Sequence, residues 1–146
     1  MAYVIAAVSA SSGSPQALIA AAAEAQARGA ELIALQAWRP PRPPAAPRGR
    51  PPSVSRDPDA EFAAAERALR AHVSAILGTG AAVTCRVVRG APSSVLLAES
   101  AGAELLVLDA PRTRESMRSP VLAHRLIYAA SCPILILPPT APPAGA

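Results

Sequence analysis

The chain has 146 residues, enough for one domain with its own core and short for two. Hydrophobic residues make up 51% but aromatics only 3%, so a core must be assembled from Val, Ile, Leu and Ala around Tyr3, Trp38, Phe62 and Tyr128. The formal charge is +4, yet Arg39, Arg42, Arg48, Arg50 and Arg56 crowd one Pro-rich stretch without interleaved aromatics, a pattern that argues against nucleic-acid binding.

Every basic residue is Arg, and Ala and Pro are abundant, as expected of a GC-rich bacterial genome. Met1 leads straight into an apolar segment with no basic region before it and no Ala-x-Ala cleavage site in a suitable place, and no apolar run reaches the length of a membrane span. A cytoplasmic protein with no membrane partner is expected. Cys85 and Cys132 lack C-x-x-C spacing and His72 and His124 do not cluster with them, so no metal site is expected.

Tyr3 to Val8 is almost wholly apolar and carries β-branched Val4, Ile5 and Val8, which predicts a strand covered on both faces. Ser14 and Pro15 read as an N-cap followed by Pro at the first helical position, and the Ala-rich segment after them stops at Gly29. A second buried strand is predicted from Glu31 to Trp38, completing a βαβ unit. Between Arg39 and Asp57 stand seven prolines, a composition that forms no packed element and reads as an extended, flexible insertion.

Asp57 and Pro58 repeat the cap-plus-Pro signal, and Phe62, Ala65, Leu69, Val73 and Ile76 recur at helical spacing up to Gly78. In the next strand Val83, Cys85 and Val87 alternate with Thr84, Arg86 and Val88, so one side is more polar and the strand belongs near an edge. Gly90 turns the chain, a short helix runs from Pro92 to about Ala101, and Glu104 to Asp109 form another doubly buried strand. Ser119 and Pro120 open a helix reaching Ala130, and Pro133 to Leu137 make the last strand. The tail, residues 139–146, reads as frayed.

The order βαβαβαβαβ with right-handed crossovers predicts an α/β domain over residues 1–138, a five-stranded doubly wound parallel sheet with helices on both faces. A ligand of such a sheet sits outside the carboxyl ends of the strands where strand order reverses. With the first and fourth strands central, Ser9 and Asp109 stand at that point.

The segments VSASSGSPQAL, EAQARGAELIALQAW, VVRGAP, AELLVLDA and HRLIYAASCPILIL, taken in this order, resemble the universal stress protein family along nearly the whole chain outside the Pro-rich insertion. The resemblance implies strand order 3-2-1-4-5, in the manner of the adenine nucleotide alpha hydrolase-like folds. It also implies, in the ATP-binding branch, an adenine nucleotide site. There an Asp after the first strand approaches adenine and ribose, a place held here by Ser9, and backbone of the second strand meets the base, at the position of Ala37. The family's Gly after the third strand is matched by Gly90.

The phosphate loop departs from the pattern. ATP binders read G-x-x-G, nine residues, then G-[ST], so that bare amides wrap the phosphates. Here Asp109 takes the place of the first Gly and Arg112 the second, while Pro120 and Val121, after Ser119, replace the final Gly-Ser in a shorter stretch. Pro120 has no N–H to donate. A carboxylate at Asp109 facing phosphate costs about 1 to 4 kcal/mol per charge pair at roughly 4 Å. The expectation is therefore no bound cofactor, with ATP, another adenine nucleotide or another anion held by Arg112, Arg114 or Arg118 as the alternative.

No nucleophile with its base, metal set or carboxylate pair gathers at this point, and the GxxxxGK[ST], GxGxxG and GxSxG motifs are missing. His72 and His124 lie on helices away from Ser9, Ser11, Ser12 and Ser14, so the serines read as turn formers and the chain as non-catalytic. Clustered acids after the first strand and an Asp after the third, which a response regulator needs, are replaced by Ser9 and Arg89. The apolar edge Pro133 to Leu137 needs covering, and a homodimer through that strand is expected, in line with the family resemblance. Cys85 and Cys132 fall on opposite outer strands, too far apart for a disulfide, and should be reduced thiols.

Overall fold

The computed structural model describes residues 1–10, 12–40, 57–110 and 121–138. Five parallel strands, β1 (Tyr3–Ala7), β2 (Glu31–Trp38), β3 (Val83–Arg89), β4 (Leu105–Asp109) and β5 (Ile134–Leu137), form one sheet in the order β3-β2-β1-β4-β5. The crossovers are α1 (Pro15–Arg28), α2 (Pro58–Leu77), α3 (Pro92–Glu99) and α4 (Val121–Ala129). This is the doubly wound architecture expected from the sequence, with element ends shifted by one or two residues. The Pro-rich stretch beyond residue 40, the segment 111–120 and the tail from 139 lie outside the described residues.

The apolar runs divide strictly by side-chain alternation. Val4, Ala6 and Val8 turn to the face covered by α1 and α2, where Leu18, Leu69 and Val73 meet them. Ile5, Leu35, Leu106 and Leu108 turn to the opposite face, against Val95 and Leu96 of α3 and Leu126 of α4. β1 and β4 are buried on both sides, which is why neither shows a polar alternate position. β3 is an edge strand and alternates between half-buried and exposed positions over most of its length.

Asp57 caps α2 as its sequence position predicts. Its carboxylate accepts from the Asp59 and Ala60 amides at 3.0 and 3.4 Å, and Asp59 and Glu61 add negative charge to the first turn. The start of α2 is tied to the sheet by Arg89. Its guanidinium lies 5.5 Å from the Trp38 ring centre and 4.9 Å from that of Phe62, and it pairs with Asp59 at 2.8 Å.

Ser14 matches the sequence reading in position and differs from it in bonding. It occupies the N-cap position of α1 but has φ 45°, in the left-handed region, and its hydroxyl makes no capping bond. The Ser14 Oγ instead accepts from the Ser9 amide at 3.0 Å. The residue that opens the helix thus also closes the turn that precedes it.

Candidate functional site

β1 and β4 are adjacent in the sheet while their crossovers go to opposite faces, so a crevice opens above their carboxyl ends. A cavity of about 390 Å³ fills it. Leu35, Ala37 and Leu108 form its floor, Pro92 and Leu96 of α3 and Leu122 and Ala123 of α4 form its walls, and the β1–α1 turn with Ser9 and Ser14 closes the remaining side. Asp109 stands at the end of β4 on the same rim, with both carboxylate oxygens buried.

The β1–α1 turn is held at several points. The Gly13 amide donates to the Ser9 carbonyl at 2.8 Å, and Ser14, only 3% exposed, clasps the Ser9 amide. From the α2 side, His72 Nε2 donates to the Gly13 carbonyl at 2.7 Å. Gly13 has φ 74°, and a Cβ added there would lie 2.5 Å from His72 Cε1 and Nε2, so the ring occupies the space that the missing side chain leaves. The sequence reading placed His72 away from the serines; the structure brings it against their turn. Its Nε2 is committed to a carbonyl oxygen, which accepts only, so this contact positions the turn and does not activate a hydroxyl.

A profile of the universal stress protein family matches residues 2–138. The chain belongs to that family. Among solved structures, a universal stress protein in complex with cAMP is 21% identical, covering 95% of this chain and 98% of that one with a TM-score of 0.63. The universal stress protein of Archaeoglobus fulgidus in complex with dAMP is 22% identical over 93% and 96% of the two chains, with a TM-score of 0.61. A family protein of Arabidopsis thaliana with AMP bound is 15% identical over 99% and 98%, with a TM-score of 0.59. At these identities the likeness establishes the fold. No curated protein gives a significant match.

Of the residues that the universal stress protein resemblance singled out, Ser9, Ala37 and Asp109 meet at this cavity. Gly90 does not line it. Gly90 ends β3 with φ 147°, donates its amide to the Trp38 carbonyl at 3.0 Å, and leaves room for Val95 Cγ2, which would lie 2.9 Å from an added Cβ. Its effect on the cavity is indirect, through the placement of α3. Val121 opens α4, the helix that contributes Leu122 and Ala123. Arg112, Arg114, Arg118, Ser119 and Pro120 lie outside the described residues.

The cavity walls contributed by Pro92, Leu96, Leu122 and Ala123 were not recognised from sequence. Their signal was present in the helix starts themselves, since in a doubly wound sheet each helix after the switch point begins beside the ligand crevice. The described residues contain no cluster of His, Cys, Asp and Glu suited to a metal ion, and none of their helices is long and apolar enough to cross a membrane. Cys85 and Cys132 are half-buried free thiols, on β3 at one edge and just before β5 at the other.

Proposed function

We propose that this universal stress protein is a non-catalytic, homodimeric bacterial stress-response protein whose cavity above β1 and β4 takes a ligand without the triphosphate grip of the ATP-binding branch. The observation that carries this reading is Asp109, a buried carboxylate on the cavity rim at the residue where the glycine phosphate loop of ATP binders begins. A negative charge there opposes phosphate by about 1 to 4 kcal/mol at contact distance, whereas bare amides attract it. The rest of its described lining is apolar apart from Ser9 and Ser14, which suits the body of a small organic ligand better than a polyanion.

A second reading keeps an adenine nucleotide in the same crevice through Arg112, Arg114 or Arg118. It is favoured by the ligands of the related structures, cAMP, dAMP and AMP, all of them monophosphates. A single phosphate needs fewer donors than three, so guanidinium groups can replace wrapping amides for a mononucleotide more readily than for ATP. Calorimetric titration with ATP, AMP and cyclic AMP, beside native mass spectrometry of freshly purified protein, separates the two. No saturable heat from any nucleotide is expected under the first reading. Binding of AMP alone, lost in Arg112→Ala, establishes the second, and tight ATP binding overturns the first.

A further inference from the structure

On the far side of the β1–α1 turn, facing α2, lies another cavity of about 330 Å³. It shares Val8, Ser9 and Ala10 with the first, so the turn is a common wall. Its remaining lining is chemically different. Leu69 and Ala68 of α2 supply apolar surface, and Ser12, Gln36 and His72 supply hydrogen-bonding groups.

Strand alternation decides that Gln36 belongs here. Leu35 and Ala37 point into the first cavity, and Gln36 between them points to the α2 face. The residue is half-buried, and its carboxamide hydrogen-bonds to no described residue. A polar group in this position loses hydration unless something replaces the water, and an amide offers a donor and an acceptor side by side. The imidazole of His72 is fixed by its bond to the Gly13 carbonyl, with Nε2 as the donor. The Ser12 Oγ accepts from the Ser14 amide at 3.3 Å and keeps its own O–H for another partner.

Gln36 with its donor and acceptor, Ser12 with its O–H and His72 therefore line one cavity together with the apolar side chains of Leu69 and Ala68. No carboxylate, guanidinium or ammonium group is among the described lining residues. We propose that this second cavity is a binding site for a small, flat, uncharged ligand carrying an adjacent donor and acceptor, a carboxamide or a heteroaromatic amide, paired edge to edge with Gln36. A charged ligand of the same shape would surrender its hydration and meet no counter-charge among the described lining residues. Because the turn walls both cavities, an occupant here also braces the side of the first.

The test uses nicotinamide, with nicotinate as the same ring bearing an anionic carboxylate. The full chain, isotope-labelled, is titrated with each while the Gln36 side-chain amide and the Gly13 and His72 backbone amides are followed by NMR. Nicotinamide is expected to give saturable shifts at these groups with a Kd of about 1 mM, the range of a fragment, and nicotinate to bind roughly tenfold more weakly or not at all. Gln36→Leu should weaken nicotinamide by about tenfold, as should Gln36→Glu, which preserves size and removes the amide donor. Thermal melts of both variants confirm that they are folded. Absence of saturable nicotinamide shifts in the parent protein, equal binding of nicotinate, or undiminished binding in both folded Gln36 variants overturns the proposal.

Discussion

Gly13→Ala tests whether the β1–α1 turn depends on the contact between Gly13 and His72. The substitution imposes two costs. A residue with a Cβ at φ 74° is in the left-handed region, worth about 1–2 kcal/mol. The new carbon would also sit 2.5 Å from the His72 ring, so the ring must swing away and forfeit its 2.7 Å bond to the Gly13 carbonyl, about 1 kcal/mol net. Together these give about 2–3 kcal/mol, a Tm lower by roughly 4–12 °C for a chain of this size. In a His72→Ala background the ring is gone and only the backbone cost remains, so Gly13→Ala should cost about 1 kcal/mol less there. Differential scanning calorimetry of the four proteins closes the cycle. A Tm unchanged by Gly13→Ala, or the same penalty in both backgrounds, would refute the view that imidazole and turn are packed as one unit.

Other expectations follow from single contacts. The Leu106 and Ala110 amides donate to the carbonyls of Pro133 and Leu137, so odd-numbered residues of β5 face β4 and Ile136 turns its N–H to the open edge; Ile136→Pro should leave the fold intact and yield monomers in light scattering, with Ile136→Val still dimeric, and a dimer that survives the proline places the interface elsewhere. Asp57→Ala should cost about 1 kcal/mol, roughly 2–4 °C in Tm, while Asp57→Asn should retain most of the cap; equal losses would remove the carboxylate oxygen from its assigned role. Burial pushes the Cys85 thiol above its ordinary value of 9.0 and the Arg70 guanidinium draws it partly back, so the folded state keeps a proton that the unfolded chain sheds. That contribution to stability is complete below pH 9.0 and is lost as pH rises through the folded-state value, so near pH 9 iodoacetamide should alkylate Cys85 more slowly in the native protein than in urea, as mass spectrometry can measure.

The architecture was readable because its signals are local. Val4 to Val8 and Leu105 to Leu108 are apolar runs without a polar alternate, and their shortness suits a strand covered on both faces; Pro15, Pro58 and Pro92 each mark a helix start. The location of the crevice followed from strand order, and Ser9, Ala37 and Asp109 meet there. His72 was misplaced for the opposite reason. It stands 59 residues from Gly13 in sequence, and no periodicity reports that one helical turn of α2 reaches the end of β1. Ser14 is the N-cap that its sequence position indicates, but its hydroxyl serves the Ser9 amide in place of the helix, a tertiary demand that the local capping preference does not report. Gly90 is a residue whose tight turn, and not direct contact, relates it to the cavity.

The turn after β1 is where these observations join. In the ATP-binding branch the residue at the place of Ser9 is an acid that reaches toward the ligand, as the family resemblance implies. Here the Ser9 backbone is used internally: its amide goes to Ser14 and its carbonyl to Gly13, while His72 secures the Gly13 carbonyl from the other side. A turn braced this way has a set shape before any ligand arrives, which lowers the ordering cost of binding but narrows what the cavity can accept. The same bracing gives the turn two working surfaces, one toward the apolar crevice above β1 and β4 and one toward Gln36 and α2. If the turn is as rigid as its bonds indicate, His72→Ala should loosen both surfaces together, and hydrogen exchange of the Gly13 and Ser14 amides should quicken in that variant by about fivefold for each kcal/mol of lost bracing. Unchanged exchange at both amides would mean that Ser14 alone fixes the turn and that the two cavities are independent.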